Sequence, residues 1–589
     1  MKSFTVLRII FLSVVVGVIA PSVLLAQSGE IELHVYDGGK LLNWEGFRRI
    51  QENGQGSKGD NDKLLDTEYL TIILKGKDCY SLYSSQKEAA AKDGQPVLEW
   101  PRGRTRVTLS LAWPTVAGYS NLMLDLPKPG SPTPPTYPDS TLPIYSTQGE
   151  RPVVIFNLFA AQQLVDDLER LLVRRTQPPF SFPFVPSADY RAAYTAAYES
   201  AKENLRLAKR DGLSEVESAV LGDKAFQSAS TATLLMLEDY GVQYAIARRP
   251  GFRPKWGVTL EVGEHDPPLQ DASFDSVREM VDCDAGDGWV RLIISRDEGF
   301  KLEDYQRAIK WAHNHKLKVL AELLDSYDMS SVTKEQWQAH VRKYVGVLSD
   351  NPDDREKEVD QWEVGNEVNG EWLIKKPDDK DDCVGYAAKA DFIAFAAHYV
   401  KTRTKKPTLL TLYWQIGENK SASSIFNWLK DRLLTTKSPD RRSVLEYLDD
   451  VGLSLYPDKN PMGTAFDRAL STLREKYFKL PQHRLMITEL DYWPPVQSEP
   501  EYEHGWFWGN HELLPSSPPG EFQRVRASVA RFYQSAILGY PYSNGGTFWW
   551  YYLQEAASDA TYKDNEVWKA LHSVHTRITG AEVRCGSRK

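Results

Sequence analysis

Residues 289–324 read WVRLIISRDEGFKLEDYQRAIKWAHNHKLKVLAELL. An apolar run, Trp289–Ser295, gives way to apolar residues three and four apart over Leu302–His313. A second apolar run, Leu317–Leu324, follows. The unit is strand, helix, strand, and strands joined through a helix lie parallel with a right-handed crossover. It repeats in both directions. Strand-like runs occur at Trp256–Val262, Gln361–Asn366, Thr408–Trp414, Asp449–Tyr456, Leu485–Leu490 and Gly545–Tyr551. Helical patterns at Thr333–Leu348, Tyr386–Lys401, Ser424–Leu434, Thr464–Tyr477, Phe522–Leu538 and Glu566–Thr576 separate or follow them. Thr333-Lys-Glu-Gln336 and Thr464-Ala-Phe-Asp467 read as helix-opening caps. Eight such units predict an α/β fold, a (β/α)8 TIM barrel, over residues 249–580. An open doubly wound sheet is the alternative, but no Gly-x-Gly-x-x-Gly opens a helix, which disfavours a nucleotide fold.

The chain has 589 residues, enough for several domains. Upstream of the barrel, Ile31–Tyr36, Tyr69–Leu74, Arg106–Leu111 and Val153–Phe156 look like strands. Seven prolines between Pro127 and Pro143 mark a stiff linker or long loop. Helical spacing follows at Ala160–Arg175, Tyr190–Lys209 and Ser214–Tyr240. We therefore expect a β-rich accessory domain at 27–160 and a helical connector at 161–248. Trp44, Trp100 and Trp113 in the first could bind sugars or simply pack. Residues 1–26 read as a secretory signal: Lys2 and Arg8, an apolar run from Ile9 to Ala20, and Leu24-Leu-Ala26 before Gln27. An uncleaved anchor is the competing reading, weakened by Pro21. The mature chain is expected to be secreted or periplasmic, monomeric and off the membrane.

A formal net charge of −9 and the lack of a basic patch argue against nucleic acid as a partner. With 17 Trp and 29 Tyr the chain leans mildly towards carbohydrate, because flat rings stack on sugar faces. Four cysteines (79, 283, 383, 585) are too few for a disulfide scaffold and show no zinc spacing. Cys283 after the first barrel helix and Cys585 after the last could pair, while Cys383 is placed in the loop after strand four. Glu261, Glu264, His265 and Asp266 read as a solvated polar loop in preference to a metal site. No cofactor is expected.

Reactive groups of such barrels sit where strands end. Strand four ends Trp362-Glu-Val-Gly-Asn-Glu367, and strand seven ends Leu485-Met-Ile-Thr-Glu489. With these two glutamates the chain resembles clan A glycoside hydrolases, retaining barrel enzymes with one catalytic glutamate after strand four and another after strand seven. The resemblance covers about residues 253–578. It implies that Glu367 is the general acid/base and Glu489 the nucleophile. It also implies that Asn366 meets the sugar 2-hydroxyl, that Arg291 holds the nucleophile ionised and that Tyr456 donates to it. Two departures stand out: Ser454 lies two residues before Tyr456 where cellulase-like members often carry His, and Val368 follows Asn-Glu where Pro is common. Trp549 and Trp550 end strand eight, and alternation lets only one of them face the mouth as a sugar platform. The aromatic loop from Asp491 to Gly520 suits a cleft wall or an aromatic cap. The expected activity is retaining hydrolysis of a poly- or oligosaccharide. Rival readings are a non-catalytic carbohydrate-binding barrel and a metal-dependent barrel hydrolase.

Overall fold

The computed structural model describes residues 30–44, 46–47, 71–75, 80–84, 94–99, 106–115, 118–127, 152–177, 182–248, 251–262, 269–281, 288–294, 301–349, 355–373, 383–414, 425–457, 463, 465–492, 519–557 and 562–579. The proposed signal, the proline-rich stretch, Trp100, residues 263–268, Cys79, Cys283, Cys585 and most of the aromatic loop after Tyr492 lie outside them. Cys383 opens the helix Cys383–Arg403, so its expected place in a loop is corrected.

Among the described residues the N-terminal part forms three small sheets. Strands β1 (Glu30–His34), β6 (Val97–Glu99) and β9 (Val153–Ile155) pair in the order β6-β1-β9, β2 (Tyr36–Asp37) pairs β3 (Lys40–Leu41), and β4 (Thr71–Lys75), β5 (Tyr80–Ser84), β7 (Arg106–Thr115) and β8 (Gly118–Pro127) form a four-stranded sheet. Trp113 is buried, with its ring 4.6 Å from that of Phe156, so it packs and is not a sugar platform.

Three long helices follow: α1 (Phe156–Thr176), α2 (Ala188–Ala208) and α3 (Glu215–Ala247). The Ser214–Glu217 capping box explains where α3 starts, since it satisfies otherwise unpaired N–H groups. These helices lie against the barrel. Arg175, fully buried, donates to the Gly539 carbonyl at 2.6 Å and pairs with Asp467 at 2.5 Å, and Arg577 reaches Asp239 at 3.1 Å. Apolar residues of α1–α3 share one core with the barrel's outer layer.

Strands β10 (Trp256–Glu261), β11 (Gly288–Ile293), β12 (Lys318–Glu322), β13 (Gln361–Glu363), β14 (Thr408–Tyr413), β15 (Asp450–Leu455), β16 (Arg484–Leu490) and β17 (Ser543–Trp549) pair in parallel and close into a barrel. This is a TIM barrel: closure removes sheet edges, and the helices cover the outer face. The expected cap at Thr333 is present, with Thr333 N donating to Gln336 Oε1 at 2.8 Å and Gln336 N to Thr333 Oγ1 at 3.2 Å. The expected helices at 424–434 and 464–477 each run as an α-helix that passes into a π-turn, over 429–433 and 473–477.

Inside the barrel, side chains are layered. At the base, Asp450 accepts from Lys255, Gln361 and Asn544 at 2.6, 2.7 and 2.9 Å. Above it, Trp289, Leu320, Leu409, Met486 and Phe548 form a separate apolar plug. The barrel is therefore filled below its C-terminal rim.

Candidate active site

Glu367 lies just past β13 and Glu489 within β16. Two local features aim them. Glu367 has a positive φ of 43°, a conformation rare for a residue with a side chain, held by a hydrogen bond from Gly370 N to its carbonyl at 2.7 Å. A side chain on Gly365 would collide with Ile393 and Val368, so glycine lets the helix Cys383–Arg403 seat against this strand end. On β16 the pairing with β15 slips: Leu453 faces Ile487, but Ser454 faces Glu489. Thr488 is the extra residue. The irregularity lets Thr488, which bonds Thr411 at 2.9 Å, and Glu489 both point inward.

The two carboxyls converge. Ser454 Oγ lies 2.5 Å from Glu367 Oε1 and 3.0 Å from Glu489 Oε2, so those oxygens can be no farther apart than about 5.5 Å. Glu489 Oε2 also accepts from the Tyr456 hydroxyl at 3.0 Å, and Glu489 Oε1 pairs with Arg291 Nη2 at 2.8 Å. Ser326 Oγ donates to Glu367 Oε2 at 3.3 Å, and Trp372 Nε1 donates to that serine at 3.0 Å. Glu367 is 9% exposed and Glu489 2%, so both are set deep at the rim.

Arg291 is the central cation. It holds Glu363 by two contacts, 2.6 and 3.0 Å, and reaches Glu322 at 2.5 Å as well as Glu489. Burial opposes its charge, but the fields of Glu322, Glu363 and Glu489 outweigh that and raise its pKa further. One cation faces three carboxyls. Burial, with help from Glu363, holds Glu322 well above the usual carboxyl range against the pull of Arg291, which favours its protonated form. Glu367 is likewise held well above its ordinary value, first by burial and then by the charge of Glu489, which favours its protonated form. Burial also pushes Asp325 up. This set can supply one proton donor beside one ion-paired acceptor, the requirement of acid-assisted displacement.

The structure brings together Glu367, Glu489, Arg291, Tyr456 and Asn366 of the sequence-derived set. Asn366 is 1% exposed, with Nδ2 3.5 Å from Asp325 Oδ2 and Oδ1 without a hydrogen-bond partner. The two tryptophans separate. Trp550 lies over Arg291, 5.2 Å from guanidinium to ring centroid, and faces the mouth. Trp549 is fully buried in the layer between barrel and helices, so its expected role as a substrate residue is corrected: strand alternation turns it outward. Sequence reading did not single out Asp325, Ser326, Trp372, Glu322 or Glu363, though all lie at or just after strand ends. Among the described residues no cluster of His, Cys, Asp and Glu is arranged to hold a metal ion. No helix among them is long and apolar enough to cross a membrane. A cavity of about 230 Å³ lies elsewhere, between α1, α3 and the barrel helices, lined by Arg170, Arg174, Phe466 and Phe532. It touches none of the rim carboxyls, and the hydrogen-bonded rim is the better candidate for chemistry.

No protein-family model matches the chain, and no curated protein matches it in sequence. Solved structures similar to it include a fungal beta-1,4-galactanase, at 14% identity and TM-score 0.33 over 57% of this chain and 97% of that one. An intracellular xylanase of Thermoanaerobacterium saccharolyticum is similar at 11% identity and TM-score 0.30, over 51% and 86%. A GH26 beta-mannanase from Bacteroides ovatus is similar at 10% identity and TM-score 0.32, over 60% and 98%.

Proposed function

We propose that the protein is an exported glycoside hydrolase that cleaves a poly- or oligosaccharide with retention of anomeric configuration. The supporting observation is the single hydroxyl, Ser454 Oγ, within hydrogen-bonding distance of both Glu367 and Glu489. Retention needs carboxyls ~5–5.5 Å apart, whereas inversion leaves room for a water at ~6.5–9.5 Å. The bound on these two oxygens fits the first case.

In this reading an oxygen of Glu489 attacks the anomeric carbon. The bond to the leaving oxygen breaks, that oxygen keeps the electron pair, and it takes the proton of Glu367. Water then attacks the glycosyl ester, Glu367 accepts its proton, and Glu489 departs as carboxylate. Arg291 and Tyr456 hold the nucleophile in line, and Trp550 offers a face to the sugar. Export rests on the basic, then apolar, N-terminal pattern of residues 1–26.

The test is release of aryl alcohol from a panel of aryl glycosides, and of reducing ends from soluble glycans, by the wild type and Glu489→Gln. The wild type turns over at least one substrate, and the variant loses nearly all of that rate while its circular dichroism is unchanged. A variant that keeps its rate contradicts the reading.

A further inference from the structure

Ser454 Oγ is fully buried and stands between the two proposed catalytic carboxyls, on the strand that neighbours β16. A hydroxyl has one hydrogen to donate and lone pairs with which to accept. It cannot donate to Glu367 Oε1 at 2.5 Å and to Glu489 Oε2 at 3.0 Å at the same time. One contact must be served by a carboxyl that carries a proton and donates to the serine. In the empty site Glu489 is the ion-paired partner of Arg291, so Glu367 donates to Ser454 and Ser454 donates to Glu489.

When Glu489 becomes a glycosyl ester its charge is gone, and it is then a poor acceptor. Glu367, having given its proton to the leaving group, is now the anion. The hydroxyl that served Glu489 can rotate about its Cβ–Oγ bond and serve Glu367 without movement of heavy atoms. We propose that Ser454 is a positioning residue whose hydroxyl hydrogen faces Glu489 before the sugar is attached and faces Glu367 afterwards, so that one atom stabilises whichever carboxylate is charged.

The proposal rests on the double-displacement reading above. No proton leaves the serine, and the proton of Glu367 follows the route already described. The site is built for such a rotor. Among the described residues Glu367 Oε2 has only the long contact to Ser326, 3.3 Å, and Glu489 keeps Tyr456 and Arg291 when the serine turns away. Among the described residues, the titratable groups facing Glu367 are Asp325 from the end of β12, Tyr456 after β15 and Glu489 from β16, with Arg291 and Asp491 behind them. A serine does not titrate in the working range, so it can change partners without adding a pH limb of its own.

The test uses the full-length enzyme and a 2,4-dinitrophenyl glycoside of whichever sugar it cleaves. Departure of that leaving group needs little acid help, so breakdown of the glycosyl-enzyme limits kcat and a burst of dinitrophenol appears. In that step Glu367 must be ionised. Ser454→Ala removes its donor, and a hydrogen bond to a charged group moves a pKa by about one unit or more. We expect the acid limb of kcat to shift up by about one pH unit in Ser454→Ala. Ser454→Thr restores the wild-type acid limb. A uniform fall in kcat at every pH, with no shift of the limb, overturns the rotor. Inverted configuration of the released sugar overturns the double-displacement reading itself, so the two failures are told apart.

Discussion

Replacing Arg291 by Met probes the electrostatic centre of the rim. The guanidinium is inaccessible to solvent and is the shared partner of Glu322 at 2.5 Å, Glu363 at 2.6 Å and Glu489 at 2.8 Å. Methionine fills similar apolar volume but leaves those carboxyls in a buried pocket without their cation. Removing one partner of a buried ion pair costs ~3–5 kcal/mol, a large share of a typical ~5–15 kcal/mol of net stability. The cost depends on pH, and its sign follows from proton binding. A buried carboxyl without its cation has a folded-state pKa above its unfolded one, so the folded variant holds more protons than the unfolded chain. Its stability therefore falls as pH rises, by ~1.4 kcal/mol per pH unit for each such proton. Urea unfolding followed by tryptophan fluorescence at pH 5 and pH 8 reads both effects. The expected loss is ~3–5 kcal/mol at pH 8 and clearly smaller at pH 5. Arg291→Lys should fall between, since an ammonium keeps the charge but not the two-point hold on Glu363. A loss below ~1 kcal/mol at pH 8, or one equal at both pH values, refutes the reasoning.

Other perturbations separate packing from recognition. Trp549→Ala should cost ~3–5 kcal/mol in chemical denaturation, because it empties a fully buried site between strand and helices. Trp550→Ala should cost much less stability but raise KM for oligosaccharides; equal melting points for the two would contradict the outward and inward assignment. Burial raises Asp223 from its ordinary value of 3.8 to about 7, with Asn157 donating to it at 2.7 Å and opposing the rise. The folded state thus keeps a proton that the unfolded chain releases, and stability falls between about pH 4 and pH 7. Asp223→Asn should remove up to roughly 4 kcal/mol of that fall, read as the difference in urea midpoint between pH 4 and pH 7.5. An unchanged pH dependence would sink this assignment.

The eight barrel strands were legible because each is buried on both faces and so reads as a short apolar run between helical patterns. The glutamates were legible because strand ends of a parallel barrel are where such groups gather. The role of Ser454 was not: it depends on the slip between β15 and β16, which no single-chain pattern reveals, and the sequence marked it only as a departure from the expected His. Glu322 and Glu363 were hidden inside runs that read simply as strand interiors. The seating of α1–α3 on the barrel depends on pairs such as Arg175 with Asp467, 292 residues apart, beyond the reach of local periodicity. Strands β5, β6 and β8 were missed because short or Asn- and Asp-containing segments carry weak strand signals; β8 is recognisable through its hairpin with β7.

Double displacement requires that Glu489 form a bond to sugar while Glu367 supplies and recovers the proton. Incubation with a 2-deoxy-2-fluoro glycoside bearing an activated leaving group, followed by proteolysis and mass spectrometry, addresses it directly. Stoichiometric inactivation and a single fluorosugar-bearing peptide with the label on Glu489 are expected. Label on any other residue, or turnover without a trapped intermediate and with inverted product, would contradict it.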